Sequence, residues 1–299
     1  PLGEDSGDDV IIGDNGRADF EVLDGQSVVT SIQTGGLIED EEGIWGEDSN
    51  SLEVGAADYI FAGAGKDIVL GGVGSDEISA GLGAGSLIAL GDNGRAQFAA
   101  GILRLIETQD YSVGAGDVIH AGAGDNIVLG GTGADAITTG EGADVIVGDQ
   151  GWTTFNPDRT LQVIKSTAPE SGGDDDILSG AGSDIVIGGF GSDYINIDRA
   201  TGEALGSDSS RDVIVGDNGQ AKFGDSNHPG ILTSIFSTDP EHGGSDHVFA
   251  DGGDDVVIGG SESDYINVSH EDKAPLGEDS GDDVIIGDNG RADFEVLDG

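Results

Sequence analysis

The chain has no cysteine and no methionine in 299 residues, and it sets only 11 basic side chains against 59 acidic ones. Without thiols there are no disulfides, no thiolate metal sites and no thiol nucleophiles. Without a stripe of Lys and Arg there is nothing to hold phosphates, so neither nucleic acid nor an anionic membrane surface is an expected partner. No apolar run reaches the roughly 18 residues that cross a bilayer, which argues against membrane insertion. Aromatics supply 5% of the residues and the formal charge is −48, a balance shared with disordered chains, yet 36% of the residues are hydrophobic and recur in short regular runs. That combination predicts a fold whose order depends on cations, because a compact body with this charge repels itself. The opening Pro1-Leu2-Gly3 resembles neither a signal peptide nor a natural N-terminus, so the sequence reads as a window on a longer chain.

What abounds is glycine, 56 residues, recurring with aspartate on a nine-residue period. Asp58, Asp67 and Asp76 are nine apart, and Ile60, Val69 and Ile78 each follow two residues later. The spacing returns in Asp117, Asp135 and Asp144 with Ile119, Ile137 and Ile146; in Asp175, Asp184 and Asp193 with Ile177, Val186 and Ile195; and in Asp246, Asp255 and Asp264 with Val248, Val257 and Ile266. In the second block Asn126 takes the acidic slot, beside Asp125. A fixed short period marks a stacked architecture in which each unit buries its apolar side against the next.

Gly71-Gly72-Val73-Gly74-Ser75-Asp76-Glu77-Ile78-Ser79 and its equivalents from Gly130 and Gly188 resemble the hemolysin-type calcium-binding repeats of the RTX family, whose unit is G-G-x-G-x-D-x-U-x with U a large apolar residue. The resemblance covers about half to two-thirds of the chain. It implies an all-β fold, a parallel β-roll or β-solenoid of RTX type, holding several Ca2+ ions through the sixth-position Asp and the turn carbonyls. In such a half-coil x-U-x is extended and U points inward. Two half-coils close one turn, so carboxylates 18 residues apart lie about 4.8 Å apart, one strand spacing. Asp58 then faces Asp76, Asp117 faces Asp135, Asp175 faces Asp193 and Asp246 faces Asp264. On the opposite edge Asp125 or Asn126 faces Asp144, Asp184 faces Asp212, and Asp255 faces Asp283, whose copy is Asp9. Hard oxygens this close suit Ca2+, which takes about 6 to 8 of them. The slot facing Asp67 falls at Leu87, which has no oxygen to give, so a weak or empty site is expected there.

Each block closes in a variant turn: Gly13-Asp14-Asn15-Gly16, Gly91-Asp92-Asn93-Gly94, Gly148-Asp149-Gln150-Gly151, Gly216-Asp217-Asn218-Gly219 and Gly287-Asp288-Asn289-Gly290. Asp stands second in these and not sixth, so Asp14, Asp92, Asp149, Asp217 and Asp288 are left open between ligand and turn former. Phe20, Phe98, Phe155, Phe223 and Phe294 follow, where the nonapeptide frame places its inward residue. Apolar inserts such as Val28-Val29-Thr30-Ser31-Ile32 and Ile102-Leu103-Arg104-Leu105-Ile106 predict short strands or hairpins packed beside the coil. Two more inserts, 197–209 and 268–280, interrupt their blocks at equal length.

A lone Asp in such a turn is most simply a cap for its own backbone. Nine-residue phasing of a dozen carboxylates favours ligation, since turn propensity alone accepts Asn, Ser or Gly equally. The five His match no H-E-x-x-H spacing and no G-x-S-x-G elbow exists, so no enzyme is expected in this window. Residues 1–25 are identical to residues 275–299, an offset of 274. The expected division is therefore the end of a preceding module at 1–25, four modules at 26–98, 99–155, 156–223 and 224–294, and the start of the next unit at 295–299. These features together predict a calcium-binding structural repeat of a giant adhesin or extracellular matrix filament. It would be secreted or cell-surface, of bacterial type, and continue as a tandem array or self-associate into fibres. Two alternatives stand beside it: the calcium-binding secretion or scaffold domain of an exported hydrolase, and a module whose inserts bind a cell-surface or glycan ligand.

Overall fold

The computed structural model describes residues 7–34, 37–39, 45–47, 55–81, 83, 85–206, 208–224, 228, 230–277 and 281–295. The Trp45 side chain and much of the 26–54 insert, a candidate glycan reader, lie outside the described residues. No helix among the described residues is long and apolar enough to cross a membrane.

Val and Ile between Gly-Asp turns form short strands, and these assemble into two parallel sheets. The front sheet stacks Val10–Ile12, Lys66–Leu70, Ser86–Leu90, Ile127–Leu129, Val145–Val147, Ile185–Gly189, Val213–Asp217, Val256–Ile258 and Val284–Ile286 in chain order. The back sheet stacks Tyr59–Phe61, Glu77–Ser79, Val118–Gly122, Ala136–Thr139, Asp176–Leu178, Tyr194–Ile195, His247–Val248 and Tyr265–Ile266. Because the chain alternates between the sheets, it winds as the expected β-roll. Val69, Ile78, Ile119, Val128, Ile137, Ile146, Ile177 and Val186 meet between the sheets in a dry ladder. The coil passes its inserts unbroken: Ile78 pairs with Ile119, Ile137 with Ile177 and Ile195 with Val248.

One expectation is corrected by the larger inserts. The frame puts the Phe after each variant turn inside the coil, but the chain leaves the coil there. Gly16–Leu23, Gly94–Ala99, Gly151–Phe155 and Gly219–Phe223 each fold back in a hairpin, on Gln26–Thr34, Ile102–Thr108, Leu161–Ser166 and Leu232–Ser237 respectively. The hairpins then join edge to edge, through Ala96 with Ile32, Ile106 with Thr153 and Ile164 with Ala221, into a nine-stranded antiparallel sheet. That sheet covers the outer face of the front sheet, where Leu70, Leu90, Leu129, Val147 and Ile187 meet Ile32, Ile106, Ile164 and Ile235 in a second dry core. The physical reason lies in the residue after each U position. In Val69-Leu70, Val128-Leu129 and Val186-Ile187 it is apolar too, and a strand apolar on both faces needs cover on both. Register shifts fall immediately before Phe20, Phe98, Phe155 and Phe223. Phe98, Phe155, Phe223 and Phe294 pack at the margin of this second core, while Phe20 is 62% exposed.

Both cores should carry stability. Ile146→Ala in the coil and Ile164→Ala in the hairpin sheet are each expected to cost about 2–5 kcal/mol in the calcium-saturated chain, read from denaturant melts. A neutral Ile164→Ala would mean that the hairpin sheet does not pack as described.

Candidate metal centre: the carboxylate edges of the coil

The chain crosses between the coil sheets at two edges. At edge I it passes from front to back, through turns such as 71–76; at edge II it returns, through turns such as 62–67. Edge I collects Asp58, Asp76, Asp117, Asp135, Asp175, Asp193, Asp246 and Asp264 in one row. The backbone N–H of each donates to Oδ1 of the next, at distances from 2.7 to 3.1 Å. The other oxygen, Oδ2, is buried in all eight and has no hydrogen-bond donor. Spacing in the sequence pairs these residues only within blocks. Asp76 to Asp117, Asp135 to Asp175 and Asp193 to Asp246 are bonded across inserts, which sequence spacing did not reveal.

A second set of oxygens converges on these carboxylates. A Cβ added at Gly71 would overlap Gly91 O and stand 2.5 Å from Asp76 Oδ2. One added at Gly130 would overlap Gly148 O and stand 2.5 Å from Asp135 Oδ2. Only glycine lets a carboxylate oxygen and the carbonyl of the next coil approach a Cα this closely. Two acceptors with no donor between them call for a cation, and hard oxygens in this number fit Ca2+. Among the described residues no three acidic or histidine side chains form a cluster, so a cation here draws the larger part of its shell from backbone carbonyls.

Burial governs the protonation of the metal-free edge. Desolvation raises Asp76 to about 6 and Asp117 to about 9, against the backbone N–H bonds that pull the other way. Asp135, Asp175, Asp193 and Asp246 are also pushed well up, by burial first and then by neighbouring carboxylates. Eight ionised carboxylates cannot share this edge without a counter-charge.

Edge II carries the other predicted ligands in a less uniform row. Asp9 N–H donates to Asp67 Oδ1, then Leu87 interrupts the acidic series by donating to Asn126 Oδ1. The row resumes through Asp144, Asp184, Asp212, Asp255 and Asp283, each taking the N–H of its predecessor at 2.8 to 3.0 Å. Two residues on the predicted ligand list are placed differently from the rest of the row. Asn126 has its Oδ1 occupied and turns its amide nitrogen toward Gly124 O at 2.6 Å and Asp144 Oδ1 at 3.0 Å, so it presents donors where a ligand needs lone pairs. Asp125 points outward and caps Ala143 N–H at 2.9 Å.

The second-position aspartates, left open in the sequence, act as staples. Asp14 accepts from Ala56 and Val73, Asp92 from Ala115 and Thr132, Asp149 from Gly173 and Phe190, and Asp217 from Gly244 and Ser261. In each case one bond closes the mouth of an insert and the other reaches the next coil. Asp288 lies in the final coil, near enough to Asp264 to raise its pKa. His247 is stacked between Tyr194, at 4.4 Å, and Tyr265, at 4.8 Å, a packing role that its sequence position did not signal.

The family model of the RTX calcium-binding nonapeptide repeat matches four segments, residues 54–87, 113–151, 171–197 and 242–267. Repeats of this family bind Ca2+ at multiple sites. No curated protein and no solved structure matches the chain.

The raised carboxyl pKa values fix a sign. A group whose pKa is higher in the folded than in the unfolded chain adds stability that is complete below its unfolded value and lost as pH rises through its folded value. The chelated chain is therefore expected to gain thermal stability when taken from pH 8 down to about pH 5, through the folded value of about 6 at Asp76 and wholly below that of about 9 at Asp117. The calcium-saturated chain should lose stability over the same interval, because protons compete with the metal for the same oxygens. Melts by circular dichroism at both pH values check the crossing.

Proposed function

We propose that the chain, four segments of which are RTX calcium-binding nonapeptide repeats, is a calcium-folded structural repeat of a secreted adhesin or extracellular matrix filament. The identity of residues 1–25 with residues 275–299 carries this reading, taken with the way the two copies are paired. Val10–Ile12 is bonded to Lys66–Leu70, and its copy Val284–Ile286 is bonded to Val256–Ile258. Gly16–Leu23 is bonded to Gln26–Thr34, and its copy, from Arg291–Asp293, to Leu232–Ser237. Each copy thus uses one side of the same strand. Laid over one another, the two copies give these two strands both neighbours, and front sheet and hairpin sheet continue at the 274-residue offset. A tandem array built this way leaves neither of these sheets an open edge at the junctions.

Calcium supplies the stiffness. With it, the edge carboxylates are neutralised and the Gly-rich turns are held. Without it, a chain of charge −48 must order its turns against its own repulsion. Many weak oxygen sites suit the millimolar calcium found outside cells, which supports an extracellular setting.

Electron microscopy of the native polypeptide is expected to reveal rods with a constant axial repeat that loosen in excess chelator. Soluble monomers without a repeat, whose β-signal and melting ignore chelator at low salt, would overturn the proposal.

A further inference from the structure

The two edges of the coil differ at one position that the nine-residue period treats as equivalent. Counting two residues on from each inward apolar residue, edge I has Gly71, Gly91, Gly130, Gly148, Gly188 and Gly216, and its remaining turns at 13, 259 and 287 are glycine as well. On edge II the same position is Ala62, Ala80, Ala121, Thr139, Ser179 or Ala250, and the two interrupted turns have Ile197 and Val268. Glycine is invariant on one edge and absent from the other.

The geometry gives this alternation a consequence. At every one of these edge I glycines except Gly287, which has no coil beyond it and nothing within 4 Å, a Cβ would stand no more than 2.6 Å from Oδ2 of the turn's own Asp and no more than 2.5 Å from the carbonyl oxygen of the equivalent glycine in the next coil. Those two acceptors therefore close over a bare Cα. On edge II every residue at the corresponding place carries a Cβ, so no bare Cα is offered there.

Edge II also supplies its own donors. The Asn126 amide bridges Gly122 O, Gly124 O and Asp144 Oδ1, at 3.3, 2.6 and 3.0 Å. The Thr139 hydroxyl donates to Ser179 O, the carbonyl of the equivalent position one coil on, and adjoins the Asp144 carboxylate. Around Asp144 an N–H and an O–H thus lie among the same kinds of oxygen that on edge I have nothing between them. At Leu87 there is no side-chain oxygen.

We propose that calcium is held along edge I alone, and that edge II is zipped without metal by the chain's own amide and hydroxyl donors. This rests on the calcium-folded reading above and sharpens it, since nonapeptide spacing alone assigns metal to both edges. The row on edge I then has eight carboxylates with a free buried oxygen, from Asp58 to Asp264. Oδ2 of Asp144, of Asp184 and of Asp255 is likewise buried without a hydrogen-bond donor, so these are the places where edge II comes nearest to edge I and where the test bears hardest.

The test is the number of calcium ions bound by the full chain, counted by native mass spectrometry and by equilibrium dialysis against calcium alone. A plateau of no more than eight ions is expected, one for each orphan oxygen of edge I. Asp135→Asn should lower the count, and Asp144→Asn and Asp184→Asn should leave it unchanged. A plateau near twice that number, or ions lost from either edge II variant, would overturn the one-sided row and leave the calcium reading standing. A folded chain that binds no calcium would overturn the calcium reading itself. The wild-type plateau decides the matter even where a variant fails to fold.

Discussion

The stacking of like charges one strand apart is the constraint that everything else in the molecule answers to. Two carboxylates about 4.8 Å apart repel by about 3 kcal/mol at an effective dielectric near 20. Edge I repeats that juxtaposition along its whole row, Asp58 to Asp264, while a whole domain is stable by only about 5–15 kcal/mol. Backbone N–H donors neutralise one oxygen of each group and leave the other. On the calcium-folded reading proposed above, a cation or a proton takes up the remainder, which would make ion binding and folding one equilibrium.

Charge explains the coil's edges but not its faces. The space between front and back sheets is filled by Val and Ile with Ala and one Leu, a core one side chain deep from each sheet. The hairpin sheet adds a second layer, and it does so by joining hairpins from successive coils to one another as well as to the coil. A parallel sheet and an antiparallel one are then in register over the same length. Bending the rod would have to shear both hydrogen-bond systems and the dry interface between them, which a coil alone would not resist.

Much of this was legible in the sequence. Asp58, Asp76, Asp117 and Asp135 could be placed on one edge because the period of nine is rigid and the frame resumes after each insert. The Leu87 gap could be placed for the same reason. The position of the Phe after each variant turn was misread, because the nine-residue frame does not say where a chain leaves the coil. Val69-Leu70 and its equivalents held the missing information, as an outward apolar row needs a cover. The bonding of Asn126 was not legible for a different cause: an amide offers an oxygen or a nitrogen, and only the neighbouring Leu87 N–H and Gly124 O decide which faces which. Bonds across the inserts, such as Asp76 to Asp117, lie 41 residues apart and carry no periodic signature.

The variant turns tie the two systems together. At Gly91 the bare Cα is overlaid by Asp117 Oδ2 and by the carbonyl of Gly130. The next residue, Asp92, holds Ala115 at the point where the chain re-enters the coil and Thr132 in the coil beyond. The excursion that makes the hairpin of Gly94–Ala99 with Ile102–Thr108 therefore starts and ends within one carboxylate's reach of edge I. Asp14, Asp149 and Asp217 repeat the arrangement at the other hairpins. Opening an edge I turn cannot leave its hairpin in place, because the residue that staples the hairpin's ends is bonded to the same two coils that the edge carboxylates join. The charge state of edge I is thereby coupled, through adjacent residues of each variant turn, to the alignment of a sheet that contains none of its carboxylates.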